Sequence, residues 1–296
     1  MAWAVLQTPF WSIDCAFHPA MERELYRQVL AWAEYRAREI IHTPYGHPAW
    51  FVSVSNERQD QIADLVTAGF ADQHDVGENS WSKVLLRRPS EIAIASNPLP
   101  PGFGIRTLTV QKPADHPDAP RIEGDRLVSE QRVEGDRPGS DLSDVEAYVE
   151  LHRAAFESRN MTLEWRMRAM GQPEYLPELD LMVTAPDGRP VAFCVGWLDR
   201  AYGADGQSVG QIEPMGVHPD FRSHGLGRAV LAETLRRLTA LGAAHVIVET
   251  DNQRGPALEL YLRSGFRVIQ DVRVYRKDFL PVAAADCSAE NDDHGT

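Results

Sequence analysis

The chain has 296 residues, 43% hydrophobic and 25% charged, a composition suited to a folded, water-facing protein and a length sufficient for two domains with their own cores. A formal charge of −13 and a pI near 5.2 argue against a general nucleic-acid partner, because phosphate binding draws on clustered Lys and Arg. No apolar run approaches the roughly 18 residues of a membrane helix, so no membrane partner is expected.

Residues 1–11 are apolar but lack a basic segment and are interrupted by Gln7 and Pro9, so they are not expected to act as a secretory leader. Cys15, Cys194 and Cys287 are far apart, without C-x-x-C spacing, which suits a reduced cytoplasm. No Cys, His or Asp cluster has metal-ligand spacing, and no metal is expected.

Residues 12–17 read as a strand and 22–41 as a helix. Residues 50–54 are strand-like, and behind them come Asn56 and Arg58, a helical spacing through Ile62, Leu65 and Val66, and a Gly69-Phe70 stop. Residues 86–101, with four prolines, form the expected boundary, within which 91–95 read as a short strand. Residues 103–110 are strand-like, and 112–139 read as an inserted loop with a hairpin around 126–133. Ser143-Asp144-Val145-Glu146 is a capping-box pattern, and Val145, Tyr148, Val149, His152 and Phe156 give the following helix an apolar face. Residues 159–172 continue as a second helical stretch, and 179–184 and 191–198 flank an Asp187-Gly188 turn as a hairpin.

The next strand holds Glu213, Met215, Gly216 and Val217 and meets a turn at His218-Pro219. A helix follows, with Leu226, Val230, Thr234, Leu238 and Leu241 at three- and four-residue steps and Gly242 as its stop. Gly225 and Gly227 let the backbone approach a ligand, and the helix start offers unpaired N–H groups and a positive dipole end. That is a seat for a phosphate or pyrophosphate, or else a plain glycine turn. Residues 246–250 then read as a buried strand, 256–264 as a short helix ended by Gly265-Phe266, and 268–279 as closing strands; the acidic residues 281–296 read as a disordered tail.

Arg222-Ser223-His224-Gly225-Leu226-Gly227 resembles the R/Q-x-x-G-x-G/A signature of the GNAT (GCN5-related N-acetyltransferase) superfamily. Asn252, Ala257, Tyr261 and Gly265-Phe266 resemble that family's second signature. The resemblance implies an α+β fold, a mixed and mostly antiparallel sheet flanked by helices, with acetyl-CoA as co-substrate. It places the loop amides of Arg222 through Gly227, with Arg228 and Ala229, on the pyrophosphate. It places Met215, Gly216 and Val217 on a strand whose spare N–H groups bind the pantetheine arm and the thioester oxygen.

Tyr261 is then the expected proton donor to the CoA thiolate, against the alternative of a core tyrosine. Glu213 lies two residues before Met215, so strand alternation puts both on one face and makes Glu213 the expected base, against the alternative of a solvated glutamate. Asn252 binds the pantetheine amide or closes an Asx-turn. Arg222 and Arg228 neutralise phosphates or are simply solvated, and His224 donates its backbone N–H. The expected reaction is direct attack of a primary amine, of a small molecule or peptide, on acetyl-CoA in a ternary complex. Two other readings stay open: an acyl-CoA-binding regulatory protein without turnover, and transfer of a longer acyl group. The acidic surface would attract a cationic amine, or serve solubility alone. Both monomer and homodimer stay open.

The first half repeats the second. Asn56, Arg58 and Phe70 recur as Asn252, Arg254 and Phe266, each 196 residues on. The residues after His18-Pro19 offer no glycine for a phosphate seat, and Leu65 stands where the second copy has Tyr261. The expectation is two tandem GNAT-like domains: a truncated, degenerate copy over 1–100 that stabilises its neighbour, and a catalytic copy over 101–280, followed by the tail 281–296.

Overall fold

The computed structural model describes residues 2–8, 11–17, 23–44, 46–74, 82–108, 121–123, 126–128, 141–200, 206–251 and 255–279. In chain order the elements are β1 (Ala2–Gln7), β2 (Ser12–Phe17), α1 (Arg23–Ile40), β3 (Ala49–Ser55), α2 (Gln59–Thr67), β4 (Ala71–Asp72), β5 (Ser82–Pro89), β6 (Gly104–Thr107), β7 (Arg121–Glu123) and β8 (Arg126–Val128). They continue with α3 (Asp141–Phe156), α4 (Leu163–Met170), β9 (Asp180–Thr184), β10 (Pro190–Asp199), β11 (Val209–Val217), α5 (Leu226–Ala240), β12 (His245–Asp251), α6 (Gly255–Arg263) and β13 (Arg267–Asp278). The strand pairings are mostly antiparallel, as expected, with β2–β3 and β11–β12 parallel. No helix among the described residues is long and apolar enough to cross a membrane.

Two compact units emerge. The first holds the described residues up to Val84 together with Asp251 and β13 from Gln270 onward. Its strands run β1-β2-β3-β13, with β4 also paired to β13. Tyr26, Leu30, Ala33 and Ala37, spaced to share one face of α1, are buried against Trp50, Val52, Val54, Leu65 and Phe70. Buried Asp64 on α2 accepts hydrogen bonds from Arg23 Nε at 2.8 Å and Arg27 Nε at 2.9 Å, which ties α1 to α2. The Arg23 bond is the main reason its carboxyl titrates below the usual range, with burial opposing it.

The second unit holds the described residues from Leu85 to Thr250 and from Gly255 to Ile269, with strand order β5-β12-β11-β10-β9-β6. Side chains of β10 alternate between two layers. Phe193 meets Tyr148 of α3 edge-on at 5.0 Å and Val195 joins the same cluster, while Cys194 and Gly196 face Thr234 of α5. The helices α3 and α4 thus cover one face and α5 the other.

The repeat read from the sequence carries into three dimensions. The bounds of β3 and β12, and those of α2 and α6, lie 196 residues apart. Gly69 (φ +87°) and Gly265 (φ +91°) end the two helices in the same left-handed conformation. The N–H groups of Phe70 and Phe266 return to the carbonyls of Leu65 and Tyr261 at 3.0 and 3.1 Å. Leu65 therefore occupies the place of Tyr261.

The compact units do not follow the linear division into 1–100 and 101–280. The strand beside β3 is β13, which follows the second copy, and the strand beside β12 is β5, which follows the first. Each unit borrows its completing strand from the other half of the chain. The expected boundary at 86–101 accordingly begins inside β5, and 268–279 form one twelve-residue strand rather than several. Residues 91–95 are not a strand. Arg88, fully buried, donates to the carbonyls of Ile92 (2.7 Å) and Ala93 (3.3 Å), and that pull bends the segment into a turn. The hairpin in the insertion joins β7 to β8, earlier than 126–133. Residues 281–296, Asn252 and His18-Pro19 lie outside the described residues.

Arg88 also donates to Ser264 at 2.8 Å, at the C-terminus of α6, and to Pro89 at 3.2 Å. A neutral residue of similar bulk removes the arginine donor from these part-buried carbonyls, each lost hydrogen bond costing about 0.5–1.5 kcal/mol. Arg88→Leu is therefore expected to lower stability by about 2–4 kcal/mol. Urea unfolding followed by circular dichroism will check this, with the midpoint falling and the slope unchanged.

Candidate active site

Strand β11 is paired on both sides only at its start. Val209 to Gln211 align with His245 to Ile247 of β12, and beyond them the described register of β11 runs with β10 alone. Within that stretch the β10 register slips between Cys194 and Gly196, so Glu213 and Pro214 together oppose Val195. This is a β-bulge. Pro214 suits it, because proline has no N–H to give a ladder.

The bulge separates two residues that alternation had put together. Gln211 Nε2 donates to Glu213 Oε2 at 2.7 Å, and Trp197, the register partner of Gln211, donates Nε1–H to the Glu213 carbonyl at 2.7 Å. Glu213 thus belongs to the α3/α4 face, with an exposed carboxylate. Met215 is aligned with Cys194 and its Sδ lies 3.8 Å from the Tyr261 hydroxyl, which puts it on the α5 face. Glu213 and Met215 are therefore on opposite faces, because the extra residue of the bulge reverses the alternation.

Tyr261, on α6, is buried, with its ring edge-on to Phe266 at 5.5 Å. Burial first, with the Glu213 carboxylate adding to it, pushes its phenol pKa up. The hydroxyl keeps its proton at neutral pH.

The loop between β11 and α5 is built around backbone. His218 Nδ1 accepts from the Asp220 N–H at 3.3 Å and caps a 3-10 turn over Pro219–Phe221. Ser223 (φ +66°) and Gly225 (φ +78°) are left-handed, and Gly225 caps α5 without a side-chain hydrogen bond. The first amides of a helix have no intrahelical acceptor, so this end fits an anion by shape, dipole and donors. Ser223, His224, Gly225 and Arg228 are exposed, whereas the side chains of Leu226 and Ala229 go into the core, leaving them only their amides to offer. His224 Nδ1 lies 2.8 Å from the Arg222 carbonyl, which can only accept, so that nitrogen carries the hydrogen. Arg222 Nη2 donates to the Ala155 carbonyl at 3.0 Å and ties the loop to the end of α3. Its guanidinium is thus partly committed to a carbonyl.

Two glycines serve packing. A Cβ on Gly216 would lie 2.7 Å from Phe193 Cζ and 2.9 Å from Ala155 Cβ; on Gly227 it would lie 3.3 Å from Met215 Cε and Val217 Cγ2. Backbone contact between strand and helices on both faces depends on them.

Against Tyr148 and His152, the α3/α4 face holds Arg166, Tyr175 and Asp180, which periodicity alone did not single out. Arg166 and Asp180 form a buried ion pair, 1% and 0% exposed. The Arg166 guanidinium sits 3.9 Å above the Tyr148 ring. Tyr175 donates its hydroxyl to Asp180 Oδ2 at 2.5 Å and meets Trp197 edge-on at 6.3 Å. His152, stacked on Phe193 at 5.6 Å, is lowered to a pKa of about 4, first by burial and then by Arg166, and is neutral at pH 7. The signal for this group was compositional: an Arg within an apolar helix pattern and an Asp opening an apolar strand. No group of three or more His, Cys, Asp or Glu among the described residues is placed to hold a metal ion.

Comparison with known proteins bears on this geometry. The sequence profile of the acetyltransferase (GNAT) family matches residues 145–266, which contain β11, its loop and Tyr261. Residues 145–266 carry the GNAT-family pattern. A mycothiol acetyltransferase of Pseudarthrobacter chlorophenolicus is 26% identical over 71% of this chain and 63% of its own length. Another, from an Arthrobacter species, is 31% identical over 42% of this chain and 39% of its own. The chain spans about half the length of these curated relatives. Among solved structures, a GCN5-related N-acetyltransferase of Sphaerobacter thermophilus superposes with TM-score 0.63 at 19% identity, over 95% of this chain and 76% of that one. A tandem GNAT protein from the clavulanic acid biosynthesis pathway gives 0.55 at 12%, over 91% and 75%. These structures share the GNAT fold, and the second shares a two-copy layout.

The glycines differ in what they tolerate. Gly216→Ala is expected to cost about 1–3 kcal/mol by overpacking Phe193 and Ala155. Gly225→Ala meets no atom within 4 Å and carries only the left-handed backbone cost of about 1–2 kcal/mol. Chemical denaturation of both variants will show whether Gly216→Ala loses at least as much stability.

Proposed function

We propose that this domain transfers the acetyl group of acetyl-CoA to a primary amine by direct attack in a ternary complex. The observation that carries the reading is the placement of Glu213 and Tyr261 about β11, one on each face, where the strand has left β12. Acetyl-CoA would supply the thioester, the amides of Arg222 to Ala229 would hold its pyrophosphate, and Met215 to Val217 would hold its arm. The amine comes from the α3/α4 side and gives its proton to Glu213, directly or through water. The departing sulfur takes a proton from Tyr261 on the other side. Backbone donors aimed at the thioester oxygen commonly contribute about 10²–10³ in rate.

The relatives' name, mycothiol acetyltransferase, favours a small-molecule acceptor over a peptide. In the first copy Leu65 stands in for Tyr261, and its contribution is structural: it supplies β5 to the catalytic sheet. A cytoplasmic location accompanies this reading.

Calorimetric titration with acetyl-CoA, run beside a thiol-release assay on a panel of small amines and peptides, tests it. One site per chain with amine-dependent release is expected. Gly225→Glu sets a negative charge in open space at the helix start and should abolish acetyl-CoA binding while the fold persists. Tyr261→Phe should leave acetyl-CoA affinity unchanged and lower kcat roughly 10²-fold. Full turnover in that variant would remove Tyr261 from its assigned role.

A further inference from the structure

The acceptor side raises a question of recognition that the reaction alone does not answer. A primary amine reaches an enzyme at neutral pH mainly as an ammonium ion, and must be held as a cation before it loses a proton. Glu213 supplies one negative group. The other candidate within the same patch is the indole of Trp197, half-buried on β10. Its Nε1–H is fixed 2.7 Å from the carbonyl of Glu213 itself, so ring and carboxylate are joined through one residue. Aromatic faces attract ammonium ions, tryptophan most strongly.

The ring also has an aromatic neighbour. Tyr175 lies edge-on to it, and the Tyr175 hydroxyl is bonded to Asp180, which is paired with Arg166. A buried ion pair is a poor source of stability, because desolvation cancels most of its attraction. Here the pair serves as an orienting device through the Tyr175 hydroxyl that Asp180 accepts. The chain of contacts runs Arg166, Asp180, Tyr175, Trp197, Glu213, from the dry interior to the exposed carboxylate. Asp180 and Glu213 also lie in one cross-strand row, on either side of Val195.

We propose that Trp197 and Glu213 form a half-cage for the acceptor's ammonium group, with Tyr175, anchored by the Arg166–Asp180 pair, as the positioning residue that sets the indole. The proposal rests on the acetyltransferase reading for its biological meaning. Its test does not, because ammonium binding can be read without acetyl-CoA.

The experiment is a ¹H–¹⁵N NMR titration of the full chain with butylammonium, and in parallel with 1-butanol as its neutral counterpart. Seven tryptophans give seven indole signals, and Trp197→Phe identifies that of Trp197 by its loss. The Trp197 signal is expected to shift saturably with butylammonium and not with 1-butanol. Tyr175→Phe keeps the ring and removes the hydroxyl, and should weaken that binding roughly two- to thirty-fold, the range a cation–π contact spans, while acetyl-CoA affinity by calorimetry stays unchanged. No saturable shift, or an equal response to 1-butanol, overturns the half-cage. Unchanged ammonium affinity in Tyr175→Phe overturns the positioning role. Failure of acetyl-CoA to bind would instead strike the reading of the loop.

Discussion

The parting of β11 from β12 is the constraint on which the rest of the second unit depends. A strand inside a sheet has no spare backbone groups, because neighbours on both sides take them. Here the parallel pairing stops after Gln211, and the bulge at Glu213 and Pro214 turns the strand as it leaves. Everything chemical gathers at that opening: a glutamate on one face, a methionine and a buried tyrosine on the other, and a glycine-bearing loop that leads into a helix start. Gly216 and Gly227 keep the helices close enough on either side for the opening to stay shaped rather than collapse.

Local elements were legible in the sequence to within a few residues, because periodicity and glycine stops report on short-range sterics. The helix ending at Gly242 and the unit from β12 to Phe266 are cases in point, and the constant offset of the repeat survived into strand and helix bounds. The partners of the strands were not legible. Periodicity says that β13 is a strand but not which edge it joins, and an exchange between copies leaves no trace in a linear pattern. The stretch 86–101 starts within β5 for the same reason, since Pro89 ends a strand that packs with the second unit. A buried arginine such as Arg88 has no periodic signature, so the turn at 91–95 looked like an apolar strand.

At the site, motif residues were readable and their directions were not. Strand alternation was the sole guide to where Glu213 points, and a bulge defeats alternation by construction. The proline that accompanies it was visible as Pro214, and a proline inside a presumed central strand is the clue that could have warned of it. Trp197, Tyr175 and the Arg166–Asp180 pair work through contacts between residues far apart in sequence or on different elements. Such contacts become readable only when the strands are in register.

The reciprocal loan of strands has a consequence for the order of events on the ribosome. The β3 edge of the first unit is made early, yet its partner β13 is more than 200 residues downstream. An N-terminal half that emerges first has no way to finish first, and it carries an unpaired edge through most of synthesis. Such an edge is an aggregation hazard. The second unit, by contrast, finds β5 already made when β12 emerges. The strand that completes the first unit is therefore the last one translated.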